Sequence, residues 1–548
     1  MFFSGSMSHL NLNAVIVCVL LALGVIAPRF GDRFFRRFES WASGFSRRKK
    51  LVVWTSALAT ILIRVSLLPW LPVPIPEIHD EYSYLLEGDT FAHGRLANPP
   101  HPMSLFFETF HVLQHPTYAS QYPPAQGAVL AFGEILGHPW LGVLLSMALM
   151  TAAVVWMLQA WLPPQWALLG GLFVLIRLDT FSYWISSYWG GAVAATGGAL
   201  VLGGYRRLIH SHLPLDAFAL GIGAALLACS RPFEGFIFCV PIAIALLVRL
   251  LSERSSPQHS RARILSPVAV TLALAILFLG YYNWRVTGNA ITFPESLTQR
   301  TYENQPLFAW QKPRPQIQYS NPQFTAFHAM QRTRYDGSFS KWMTRSWDRL
   351  GSWRYFPGSA LMLPFITLPW TFRDRRIRLL WIISFCCTLG LLAVVYFEYH
   401  YAAPLTAVVM VLVVQAVRHL RQWTWGRRPI GIGLSRAIVL AAIVNVAILT
   451  SATARHPSVQ PWIFSRAQMI AQLNKLPGYH LVIVRYSPQH PPYAEWVYNR
   501  ADIDHAKIVW AREIPGVNIQ PLLDYFHGRT VWLVEADASP PRLSPYQR

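Results

Sequence analysis

Asp80 and Glu81 are adjacent carboxylates, with His79 before them and Glu87 and Asp89 one to two helical turns further on. Such a pair can divide acid–base work, one carboxylate taking a proton while its neighbour orients it or the substrate. Transfer of a sugar needs a base of this kind, because the acceptor hydroxyl or amine must lose its proton as the anomeric carbon becomes electron-poor. Asp80 is then the candidate base, and Glu81 or His79 the candidate orienting group. The competing reading is a solvated loop that carries acidic side chains as loops commonly do.

Further positions could serve an anionic substrate. Arg64 stands inside an apolar run, residues 51–71, where an ionised side chain is costly and has a job or a partner. It either neutralises a phosphate, pairs with an acidic residue of the next segment, or snorkels to the interface. Arg231 opens the stretch Arg231-Pro232-Phe233-Glu234-Gly235 between two apolar runs, and either grips a phosphate or pairs with Glu234. In Glu398-Tyr399-His400-Tyr401, His400 and Tyr401 are candidate contacts to phosphate or sugar, or members of an interfacial aromatic belt. In the segment 285–357, Arg300, Lys312 and Arg314 alternate with Tyr302, Trp310 and Tyr319. That mixture could hold a sugar phosphate or rest on anionic lipid head groups. His79, His93, His101, His111 and His115 show no ligand spacing. No metal site and no cofactor is implied, with a divalent cation at Asp80 left open.

The elements that must position these residues are membrane helices. The chain has 548 residues, 53% hydrophobic and 13% charged, where a soluble protein carries about a quarter charged residues. Its apolar residues gather in runs of about 20, the length that crosses a hydrocarbon core of about 30 Å. The expected fold is an all-α polytopic membrane protein over residues 1–454, with about 12 transmembrane helices. The run 166–176 is short for a span: it is tilted, re-entrant or extended past Arg177. The net charge of +21 does not point to nucleic acid, since Arg and Lys lie in short connectors rather than in a compact basic domain. The five cysteines all fall in apolar runs, without a disulfide framework or zinc-type spacing.

The basic connectors assign sides. Residues 29–50, Arg206-Arg207, the cluster from Arg373 to Arg378 and the stretch from Arg418 to Arg428 read as cytoplasmic. The N-terminus, the Asp80 loop at 72–124 and the loop at 285–357 then lie outside; the second is basic, but long loops escape the charge rule. Gly191, Ala195, Ala199 and Gly203 recur every four residues, a small-residue stripe that lets helices approach closely. After residue 454 the chain turns polar. β-like runs at 480–486, 506–510 and 529–534 alternate with helical stretches at 465–476 and 520–526. Residues 455–548 are thus expected to form a small extracytoplasmic α/β domain. The chain holds no Asn-x-Ser/Thr sequon, which suits a bacterial inner membrane with both termini periplasmic.

Together these features resemble the GT-C superfamily of membrane glycosyltransferases, which includes the protein O-mannosyltransferases and the aminoarabinose transferases of lipid A. The resemblance rests on His79-Asp80-Glu81 directly after a span, Gln121-Tyr122-Pro123-Pro124 at the end of that loop, Arg64 in the preceding helix and Arg231-Pro232 at an outer turn. It covers mainly residues 51–420. It implies a sugar donor on polyprenyl or dolichyl phosphate, Asp80 as base, and a glycan, lipid or protein as acceptor, with membrane lipids around the chain. The extra N-terminal span and the α/β tail depart from the superfamily pattern. Tyr188-Trp189-Gly190-Gly191 and Trp496-Val497-Tyr498-Asn499 resemble a group of bacterial membrane proteins. Two other functions suit a chain of this kind. A transporter or flippase would show two similar halves and ionisable groups at mid-bilayer, neither of which the sequence displays. A non-catalytic scaffold would use its tail to bind a partner.

Overall fold

A computed structural model of the chain describes residues 7–180, 182–211, 213–252, 258–312, 314–335, 338–356, 361–455 and 460–547. The apolar runs are helical because hydrocarbon offers no partner to a backbone N–H or C=O outside its own segment. In chain order the helices are α1 (Met7–Ile26), α2 (Asp32–Ser46), α3 (Lys49–Ser66), α4 (His79–Ala92), α5 (Pro124–Ile135) and α6 (Pro139–Trp161). There follow α7 (Pro164–Val174), α8 (Ala192–Ser211), α9 (Pro214–Ser230), α10 (Pro232–Ser252) and α11 (Gln258–Thr287). The later apolar helices are Arg378–Ala393, Thr406–Arg421 and Ile430–Arg455. Among the described residues five helices are long and apolar enough to cross a membrane: Pro139–Trp161, Pro232–Ser252, Ile264–Thr287, Arg375–Ala393 and Tyr399–Arg421. Three shorter apolar ones accompany them, Ala14–Ile26, Pro214–Ser230 and Ile430–Val446. The chain is a helical, polytopic membrane protein.

One short segment takes one of its expected forms, and two come out differently. α7 has 11 residues and continues into a π-helical turn, Leu175–Asp179, so the run extends past Arg177; at 1.5 Å per residue its α-helical part covers roughly half the hydrocarbon core. The run 358–372 is not one helix. Its first residues lie outside the described ones, and the rest is a 3-10 turn, Leu363–Thr367, followed by a short helix, Leu368–Arg373. Pro364 and Pro369 lack the N–H that a continuous helix would use. Residues 29–50, expected only as a basic connector, contain the amphipathic helix α2. Phe34, Phe38 and Trp41 are exposed on it, as on a helix lying in the head-group layer. Arg436 ties its polar side to Asp32 (2.8 Å) and Glu39 (3.1 Å).

Two contacts show which helix ends share a face. Gln159, near the end of α6, donates to the carbonyl of Lys49 at the start of α3 (3.0 Å). Arg64, near the end of α3, lies over the ring of Trp140 at the start of α6 (4.9 Å). The basic connectors gather at one end of the bundle and the approach to Asp80 at the other. Between them the helices touch backbone to backbone. A Cβ on Gly197 of α8 would come within 2.9 Å of the Gly223 carbonyl, and one on Gly223 of α9 within 2.6 Å of the Gly197 carbonyl.

The polar tail contains the three expected strands in one sheet and adds a fourth. β1 (Val112–Leu113) and β2 (Ala119–Ser120) pair in the Asp80 loop, while β3 (His480–Arg485), β4 (Ile508–Arg512), β5 (Thr530–Glu535) and β6 (Arg542–Pro545) form a sheet in the order β4-β3-β5-β6. β3 is parallel to β4 and β5, and β6 returns antiparallel to β5. The sheet is not a free appendage. Leu481, Ile483 and Val509 share one core with Leu86, Phe107 and Tyr118 of the Asp80 loop. Arg500 reaches Asp89 (2.7 Å) and Glu134, and the rings of Tyr82 and Tyr498 stack at 3.9 Å. Asp89, part of the second acidic pair, is thereby committed to holding the tail; Glu87 accepts from the Tyr282 hydroxyl (2.8 Å).

Candidate active site

The site starts from how α4 begins. Glu81 folds back to accept from the backbone N–H of Glu77 (2.7 Å) and Ile78 (3.3 Å), while its other oxygen accepts from the N–H of Tyr188 (2.9 Å). A carboxylate three residues past the cap satisfies donors that the helix itself leaves orphaned. At 2% exposure Glu81 offers nothing to a substrate. This differs from the expectation of a second working carboxylate: three amide donors and a buried position make it the clamp at the start of α4. Burial pushes its carboxyl up to about 8, against amides that favour the anion.

Asp80, roughly a quarter of a turn round the helix, keeps 24% of its side chain exposed. The Tyr122 hydroxyl donates a short hydrogen bond to its Oδ1. His111 Nε2 lies 3.9 Å from Oδ2. Tyr122 stands two residues before α5, and its ring stacks on Tyr84, one turn along α4, at 4.2 Å. His111 has a φ of 61°, in the left-handed region that costs a residue with a Cβ about 1 kcal/mol or more. Its neighbours hold it there. Its carbonyl accepts from Ser83 Oγ (2.6 Å) and the Gln121 N–H (3.2 Å), and Gln121 Nε2 donates to Nδ1 (2.9 Å). With Nδ1 accepting, the ring proton sits on Nε2, the nitrogen that faces Asp80.

Arg231 follows the last turn of α9, and its guanidinium lies 4.1 Å from the centre of the Tyr401 ring, a contact worth about 1 kcal/mol. Its field reaches Tyr84, Tyr401, Glu234 and Glu295, and that of Asp80 reaches Tyr401, Glu303 and Glu398. Asp80, Arg231, Tyr401 and Glu303 are half-buried, while Glu295 and Glu398 are exposed. Burial pushes Glu303 up to about 8, with Glu295 and Asp80 adding to it.

Three other candidates belong to the scaffold. Arg64 is fully buried and donates to the carbonyls of Leu71 (2.6 Å) and Pro72 (3.1 Å), so it ties down the chain leaving α3 instead of meeting a phosphate or a carboxylate. His79 is buried against Phe110 (4.4 Å between ring centres) and Tyr493 (5.7 Å), and burial pushes its imidazole down to about 3, which keeps it neutral. His400 is buried behind Tyr401, with Nδ1 2.8 Å from the Tyr183 hydroxyl and its ring against Trp189. The structure thus brings together Asp80, Arg231 and Tyr401. It adds Tyr122, His111 and Glu303, which the reading of the residues had not placed. Tyr122 had a signal, the Gln121-Tyr122-Pro123-Pro124 segment. His111 had none, because the contacts that aim it come from Ser83 and Gln121. Among the described residues no three His, Cys, Asp or Glu side chains gather as a metal ligand set.

No protein-family model matches the chain, and neither does any curated protein. Among solved structures, the fold is similar to that of ArnT from Cupriavidus metallidurans in the apo state, with a TM-score of 0.47 and 13% identity over 89% of this chain and 92% of that one. It is similar also to the same protein bound to undecaprenyl phosphate, with a TM-score of 0.45 and 12% identity over 90% and 93% of the two chains. A further likeness is to the Archaeoglobus fulgidus oligosaccharyltransferase in complex with Zn and sulfate, with a TM-score of 0.45 and 13% identity over 79% of this chain. The match covers 60% of that archaeal chain, less than two thirds of its length.

Proposed function

We propose that the protein transfers a sugar from a polyprenyl-phosphate-linked donor to an acceptor at the periplasmic face of a bacterial inner membrane, with Asp80 as general base. The observation that carries this reading is a partly exposed carboxylate, Asp80, whose field bears on Tyr401, and an arginine, Arg231, packed on the same Tyr401 ring at one end of the helical bundle. Arg231 offers a forked donor suited to phosphate oxygens, and Tyr401 backs it. As the bond from the anomeric carbon to the phosphate oxygen breaks, the leaving polyprenyl phosphate keeps the electron pair and Arg231 balances its charge. The acceptor oxygen or nitrogen bonds to the anomeric carbon and gives its proton to Asp80. Tyr122 and His111 are positioning residues that hold the carboxylate toward the cleft. The donor class rests on the sequence resemblance at His79-Asp80-Glu81 and Arg231-Pro232.

The test is a deletion strain complemented with wild type or with Asp80→Asn, followed by mass spectrometry of its lipid-linked sugars and surface glycans. Wild type should restore a missing glycan and clear its lipid-linked precursor. Asp80→Asn, inserted at the same level, should do neither, with transfer down at least about a hundredfold. Full complementation by Asp80→Asn would remove the base from the mechanism.

A further inference from the structure

The end of the bundle opposite Asp80 holds a polar cavity of about 210 Å³. Arg206, Arg376 and Arg418 line it, together with Gln415 and Trp161. The arginines come from three separate elements: α8, the turn Arg375–Ile377 and the last turn of the helix Thr406–Arg421. Trp161 ends α6, whose first residues lie beside Arg64 and the approach to Asp80. The 23 residues of α6 at 1.5 Å each put the cavity about 35 Å from that end.

Three guanidiniums around one cavity repel, and the field of Arg376 bears on both Arg206 and Arg418. Among the described residues none of the three lies within ion-pair distance of a carboxylate. Asp374 compensates in part, but its oxygens accept from the Arg376 backbone N–H (2.9 Å) and from Gln415 Nε2 (3.4 Å). Arg418 gives one N–H to Gln415 Oε1 (2.7 Å). Arg206 lies over Trp161 (5.0 Å), and its Nε is buried without an acceptor. Donors in this state are costly to keep unless an anion meets them. The preference for basic connectors on one side of a membrane accounts for arginines here. It does not account for three of them, from distant segments, lining one cavity beside an interfacial tryptophan.

We propose that this cavity binds a phosphate group, presented by an anionic phospholipid of the leaflet opposite Asp80. The fork of an arginine matches phosphate oxygens, and basic pockets between helix ends at a membrane surface take lipid head groups. The site is separate from the Asp80 cleft and does not depend on the function proposed for it.

Native mass spectrometry of the full-length protein in detergent tests it, with phosphatidylglycerol, phosphatidylcholine and inorganic phosphate as probes. Wild type should retain phosphatidylglycerol through washing that strips phosphatidylcholine, and the combined Arg206→Ala, Arg376→Ala, Arg418→Ala protein should lose at least about tenfold in retention. If wild type instead holds inorganic phosphate, the alanine protein does not, and lipid retention is equal in both, the phosphate is a free one and the site stands. Equal retention of phosphatidylglycerol and equal retention of inorganic phosphate by the two proteins overturn the proposal. Should the alanine protein fail to fold, Asp374→Asn decides. Losing the opposing carboxylate should tighten retention up to about fivefold, and unchanged retention would overturn the site.

Discussion

At the Asp80 end, Arg231 faces the fields of Glu234 and Glu295, and the field of Asp80 reaches Glu303 and Glu398. At the other end Arg206, Arg376 and Arg418 line one cavity, and a single acid, Asp374, already hydrogen-bonded, bears on Arg418. At the first, carboxylates outnumber the one arginine, so an anionic group held there meets opposing charge and is held less firmly. The second lacks opposing charge when empty and gains most from an anion that stays. The same side chain stands in two electrostatic settings.

The sharpest way to break this contrast is Arg231→Ala. It should raise the KM for a polyprenyl-phosphate sugar at least about tenfold, measured in membranes or vesicles, and leave phosphatidylglycerol retention at the inner cavity as it was. An unchanged KM would mean that the phosphate does not meet this cleft. Tyr122→Phe should have a smaller effect. It removes one donor to Asp80 and leaves the ring that stacks on Tyr84, so kcat should fall about tenfold with KM nearly constant. A purely structural role would move the melting temperature as well.

The smallest effect sharpens the idea of charge balance. Glu303, with its carboxyl pushed up to about 8, is protonated and neutral at pH 7. Above that pH it ionises and adds a negative charge beside a phosphate site. Donor KM should therefore rise as pH passes about 8 in wild type, and stay flatter in Glu303→Gln. Parallel profiles for the two proteins would show that Glu303 does not face the donor.

Sequence by itself determined the class of the molecule and most of its elements. Hydrocarbon length sets the helical runs, and short continuous apolar runs of β-branched and aromatic residues mark β3 and β5. The acidic group of α4 stands out because it directly follows an apolar run. The sequence misled in one place through local helix breakers and in another through a partner far along the chain. The run at 358–372 looked like a span by hydropathy alone, yet its two prolines divide it. β6 carries too little apolar alternation to be seen before β5 is there to pair with it.

Tertiary structure alone decided which polar groups are buried against partners and which stay open. Glu81 and Asp80 are indistinguishable as letters; a quarter turn of helix gives one three amide partners and the other a cleft. Arg64 and Arg231 both looked like phosphate ligands, but the carbonyls of Leu71 and Pro72 occupy the first. Hydropathy and spacing act along the chain and can be read from it. The partner of a buried charge comes from wherever the fold returns, as Tyr188 does to Glu81 and Gln121 does to His111.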